Sequence, residues 1–134
     1  MFDAHLEYWD NAEEKITSFC ELKKQLEAIK EKSTGIYTSP VSADVVIEDV
    51  GRICIGLDDP SIITYISADL ERQMSVVGDR SATGEATFYC GDYSLMSGKY
   101  LLPYTLALDV VEHFLESGKL SDEVEWTYEV FKSA

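Results

Sequence analysis

Positive charge is scarce in this chain relative to negative charge. Lysine and arginine number 11 against 25 aspartates and glutamates, a formal net charge of −14 over 134 residues. Such a surface repels the phosphates of nucleic acids and the headgroups of anionic membranes, and no basic stripe offsets it. Cysteine is sparse: Cys20, Cys54 and Cys90 stand far apart with no Cys-x-x-Cys pair. That pattern gives neither a disulfide framework nor a zinc-site spacing, and a reducing cytosolic compartment fits it. Long apolar runs are missing too. The longest, YLLPYTLAL, contains a proline and falls short of the roughly 20 residues that span a bilayer. The opening MFDAHLEYWDN has neither the basic start nor the apolar core of a secretory signal.

Motifs that carry chemistry are absent as well. There is no phosphate-binding glycine loop, dinucleotide fingerprint, nucleophile elbow or HExxH. Of the two histidines, His113 is expected on the polar face of a helix beside Glu112, and adjacent helical residues do not face each other. The cysteines lie in apolar or helical patterns and are expected to be buried structural thiols. An enzyme reading would need Cys90, His113 and Glu112 to meet in space. The acidic pairs Glu48-Asp49 and Asp58-Asp59 suggest a cation, but LDDPSI lacks the alternating oxygen ligands around a glycine that a calcium loop needs. The expectation is therefore no catalytic residue, no metal and no cofactor.

What is present is enough apolar material, 46% of residues, for one domain spanning 1–134. TSFCELKKQLEAIKEKSTG reads as a helix. Ser18 and Glu21 make a capping box, Phe19, Leu22, Leu26 and Ile29 form a stripe, lysines crowd the last turns, and Gly35 ends it. LPYTLALDVVEHFLESG reads as a second helix, opened by Pro103 and closed by Gly118, with Leu106, Ala107, Val110, Val111 and Phe114 on one face. Asp3–Trp9 reads as a short strand. ADVVIEDV, GRICIGL, IITYIS, RQMSVVGD and EATFYC read as an antiparallel meander, and GDYSLMSGKY as a loop. VEWTYEV reads as a last strand with Val124, Trp126, Tyr128 and Val130 on one side, which makes Trp126 a core residue. The fold class that follows is α+β: a mostly antiparallel sheet of about five or six strands with two main helices packed on one face.

The order of features in the second half, ICIGLDDPSIITYIS, then ATFYC, then LLPYTLALDVVEHFLESGKLSDEVEW, resembles the Imm1 family of bacterial immunity proteins. The residues that carry the likeness are Gly56, Ser61, Pro103, Ala107, Phe114, Gly118 and Trp126, across residues 45 to 130. Between Gly118 and Trp126, where family members often have a proline, this chain has KLSDEVE. The resemblance implies a cytoplasmic protein that binds a cognate polymorphic toxin, often a nucleic-acid deaminase, and protects the producing cell.

That implication gives the acidity a use beyond solubility. A toxin that acts on nucleic acid exposes basic groups, and an acidic inhibitor competes with phosphate for them and associates fast through steering. Groups for such a partner are expected in turns: Asp58 and Asp59, Asp79 and Arg80, Asp92 and Tyr93. A monomer is the default free state. A small acidic adaptor or interaction domain with a non-toxin partner is the competing reading.

Overall fold

The computed structural model describes residues 1–8 and 12–129. Helix α1 spans Phe19–Ser33, and Ser18 before it is extended, its Oγ accepting the Glu21 amide at 3.0 Å. Leu22, Leu26 and Ile29 are buried along one face. The helix gives way at Thr34, and Gly35 follows in the left-handed region with φ of 86°. Helix α2 spans Tyr104–Ser117 and buries Ala107, Val110, Val111, Phe114 and Leu115. Pro103 sits one position earlier than expected, as the N-cap. Gly118 closes the helix with φ of 69°, its amide donating to the Phe114 carbonyl at 2.8 Å.

Among the described residues nine strands accompany the helices: β1 Ala4–Tyr8, β2 Ala12–Ile16, β3 Ser42–Ile47, β4 Gly51–Gly56, β5 Ile63–Ser67, β6 Gln73–Val77, β7 Glu85–Tyr89, β8 Tyr93–Ser97 and β9 Glu125–Thr127. Seven form one antiparallel sheet in the order β2-β1-β3-β4-β5-β6-β9, and β7 and β8 make a separate hairpin. The expected α+β class holds, with a larger sheet than expected. EATFYC does not extend the meander: β7 leaves the sheet and pairs with β8, the segment expected to be a loop. The last strand is only three residues long, and Tyr128 beyond it is exposed. Trp9 and Val130 lie outside the described residues.

Register assigns the two faces of the sheet. Ala4, Leu6, Val45, Ile47, Ile53, Ile55, Ile63, Tyr65, Met74 and Val76 point to one side and join the buried faces of α1 and α2 in the main core. Tyr65 meets Phe114 edge-on at 6.1 Å between ring centroids. Trp126 belongs to this side but is half-buried at the core margin, its indole N–H donating to the Ser121 carbonyl at 2.8 Å. The opposite face carries a second, smaller core of Ile62, Val77, Phe88, Met96 and Tyr100, where the β7–β8 hairpin folds over one end of the sheet. Gly56 permits that approach: a Cβ there would stand 2.5 Å from Cε1 of Phe88.

The residues that carry the family resemblance serve this scaffold. Buried Ser61 bonds the Gly56 carbonyl at 2.6 Å through its hydroxyl and exchanges backbone hydrogen bonds with Leu102. Ala107 and Phe114 are fully buried. No described helix is long and apolar enough to cross a membrane.

Candidate functional site

β4 and β6 run in the same direction, so the turn after β4 and the loop after β6 emerge at the same end of the sheet. The tip of the β7–β8 hairpin is held at that end as well, because the Tyr89 amide donates to the Pro40 carbonyl at 2.8 Å just before β3 begins. The topology therefore gathers Asp58, Asp59, Asp79, Arg80, Asp92 and Tyr93 at one end. No hydrogen bond or ion pair among the described residues links one of the three pairs to another.

Their local roles differ. Asp59 accepts the Tyr104 amide at 3.2 Å and supplies the acceptor that Pro103 lacks at the start of α2, where a carboxylate also meets the positive end of the helix dipole. Asp79 folds its own loop by accepting the amide and hydroxyl of Ser81 at 2.9 and 2.6 Å, and these bonds hold its carboxyl below the ordinary range. Arg80 reaches across to β9, pairing with Glu125 and standing 3.8 Å from Glu129. Asp92 accepts the Tyr93 amide at 2.9 Å within its own turn. Asp58 is half-buried and makes no side-chain hydrogen bond or ion pair among the described residues.

Tyr93 is 48% exposed and is not alone. It meets Tyr89 edge-on at 4.9 Å, and Tyr89 stacks on Tyr37 at 4.2 Å. Ile36, beside Tyr37, and Leu95, two residues past Tyr93, are 67% and 64% exposed. The sequence reading missed Tyr37 and Tyr89 because they meet only through tertiary packing. Exposed tyrosines of this kind are enriched at protein–protein interfaces.

The cysteine expectation is corrected. Cys20 and Cys90 are exposed, and only Cys54 is half-buried. Cys20 lies on the solvent side of α1, and Cys90 in the hairpin turn, 3.7 Å from the Asp92 carbonyl. Burial pushes the Cys54 thiol well above its ordinary range, so it stays protonated. Cys90 lies in the hairpin on one face of the sheet and His113 on the solvent side of α2 on the other, so these two do not form a unit.

A second polar site was legible only as charge at alternate strand positions. His5 and Glu7 of β1 point away from the helices, as do Asp44 of β3 and Arg52 of β4. Arg52 donates to Asp44 at 2.8 Å and to Glu7 Oε1 at 3.4 Å, and Glu7 Oε2 lies 2.5 Å from His5 Nε2. The His5 hydrogen bond, ahead of the Arg52 charge, keeps the Glu7 carboxyl below the ordinary range although burial opposes it. His5, Glu7 and Glu13 each bring a potential ligand atom within 4.8 Å of the others. Compared with known proteins, the chain matches no family model and no curated protein.

Proposed function

We propose that this chain is an immunity protein of the Imm1 kind: it binds a cognate polymorphic toxin one to one in the cytoplasm of the producing cell and covers its substrate-binding surface. A toxin acting on nucleic acid, with a deaminase as the leading class, presents the basic surface that such a binder fits. The observation that carries the reading is the surplus of 14 negative charges on a chain whose acidic turns share one sheet end with exposed Tyr93. Acid steers the encounter and competes with phosphate, and desolvated tyrosine slows dissociation. Asp58, which makes no side-chain hydrogen bond or ion pair among the described residues, is the group whose removal costs the fold least.

The test is co-expression with the products of the genes adjacent to the one that encodes this chain, among which the reading expects a toxin. Rescue of growth, a co-purifying one-to-one complex and an association rate that falls steeply with added salt are the expected results. A toxin that kills regardless overturns the reading, and an association rate indifferent to salt overturns the electrostatic steering within it. The alternative, an acidic interaction domain for a non-toxin partner, draws on the exposed Ile36 and Leu95 beside the tyrosines. It predicts binding without rescue of growth.

A further inference from the structure

We propose that His5, Glu7 and Glu13 form a binding site for a divalent transition-metal ion on the helix-free face of the β1–β2 pair. The inference is independent of the toxin-binding reading and stands on four observations about these side chains.

The first is register. Glu7 and Glu13 are directly opposite each other on adjacent antiparallel strands, and His5 precedes Glu7 by two residues along β1, so all three project from the same face. Like charges directly opposed across a ladder destabilise it, and a cation between them removes that cost. The second is the supply of competing cations. Arg52 is the nearest guanidinium, but its shorter bond goes to Asp44, and it reaches only Glu7 Oε1. Lys15 stands opposite His5 on the same face, but no ion pair among the described residues links it or any other cation to Glu13. With neutral imidazole the three ligands carry two negative charges, which a divalent ion balances.

The third is orientation. Glu7 presents Oε2 to His5 Nε2 at 2.5 Å while its Oε1 is held by Arg52, so ligand oxygen and supporting oxygen are already sorted. On the other side of the ring His5 Nδ1 faces Glu48 Oε1 at 3.9 Å. Drawn in to accept from Nδ1, that carboxylate would orient the ring for metal at Nε2, an arrangement typical of histidine ligands. An ion here takes the place of the His5–Glu7 hydrogen bond. The fourth is access. A cleft of about 640 Å³, lined by His5, Glu13, Glu48, Asp3 and Asp49 together with Lys15, opens beside the cluster.

One imidazole and two carboxylates favour zinc or manganese over calcium, which prefers more oxygens and no nitrogen. Three protein ligands leave a position for water or for a group brought by a partner.

Isothermal titration calorimetry on the full, tag-free chain, with zinc, manganese and calcium chlorides in turn, tests the site. The expected result is saturable binding of one equivalent of zinc, weaker binding of manganese and none of calcium. Glu13→Gln, which alters an exposed side chain and leaves the fold intact by far-ultraviolet circular dichroism, abolishes the signal, as does His5→Gln. Glu48→Gln weakens it by about tenfold. No saturable heat with zinc or manganese overturns the proposal. So does one equivalent bound equally well by Glu13→Gln and His5→Gln, because the ion then sits elsewhere, for example on the exposed thiols of Cys20 and Cys90.

Discussion

Adjacent aspartates in one turn have different work. Asp59 closes the first turn of α2 from 45 positions earlier in the chain, while Asp58 makes no polar contact among the described residues. Asp59→Ala is expected to lower stability by about 1 kcal/mol, and Asp59→Asn by much less, because the amide oxygen still accepts. Asp58→Ala is expected to stay within about 0.5 kcal/mol of the parent. Urea midpoints of the three variants check this, and equal losses at both aspartates would refute the division. It also bears on the binding test: charge reversal at Asp58 with Asp92 probes a surface, whereas reversal at Asp59 also removes a helix cap. Trp126 shows a similar split. Its ring lies at the core margin and its N–H is bonded to the Ser121 carbonyl. Trp126→Phe keeps most of the apolar contact and is expected to cost about 1 kcal/mol for the lost hydrogen bond, read from the same denaturation curves.

At the scale of elements, the β7–β8 hairpin depends on a glycine in a different part of the chain. Gly56 leaves room for Phe88, which anchors the hairpin over the outer face. Gly56→Ala forces the ring to move and is expected to cost about 1–3 kcal/mol. Adding Phe88→Leu should recover part of that loss, since the smaller side chain makes room for the methyl. A double-mutant cycle with coupling near zero would mean that the two residues do not share this packing. Hairpin and aromatic stack are continuous through Tyr89 and Tyr93, so Gly56→Ala should also disturb the tyrosine near-ultraviolet signal.

For the whole molecule, charge and burial set two responses to solution conditions. The first is to salt: screening relieves self-repulsion among the 14 surplus negative charges, so added salt should raise the melting temperature while slowing association with a basic partner. The second is to alkali. The Glu14 carboxylate, through its hydrogen bond, pushes the Tyr8 hydroxyl up to about 12, and burial pushes Tyr104 to about 12, from an ordinary value of 10.0. Both groups hold their protons more tightly folded than unfolded. Their contribution is complete below pH 10 and is lost as pH rises through 12. Urea midpoints measured between these pH values should fall, and the slope should flatten in Tyr104→Phe.

How much of this was legible in the sequence follows from how local each feature is. The hydroxyl cap at Ser18, the stripe Leu22, Leu26 and Ile29, and the left-handed stop at Gly118 each lie within one turn or one face, and each was readable, although the Glu21 carboxylate that completes a capping box bonds Lys24 instead. β2 was not, because Glu13, Glu14 and Lys15 fill three of its five positions with charge at the side of the sheet. β8 was not, because Leu95 and Met96 are consecutive and only Met96 turns inward. The candidate site was legible as six turn residues but not as a surface. Its tyrosine stack joins Tyr37 to Tyr89 across 52 positions of chain, a pairing that no local pattern encodes.

The modest length of β9 has a consequence for crowded solutions. A sheet normally invites another chain to pair with its last strand, the route by which folded proteins begin to aggregate. Here that strand offers a ladder of three residues, with Arg80 laid over Glu125 beside it. At the opposite border β2 sets Glu13 and Lys15 on one side and Glu14 on the other, so an arriving strand must desolvate charge whichever way it faces. Both borders thus discourage sheet-to-sheet polymerisation, which leaves the molecule free to be made in excess over whatever it binds.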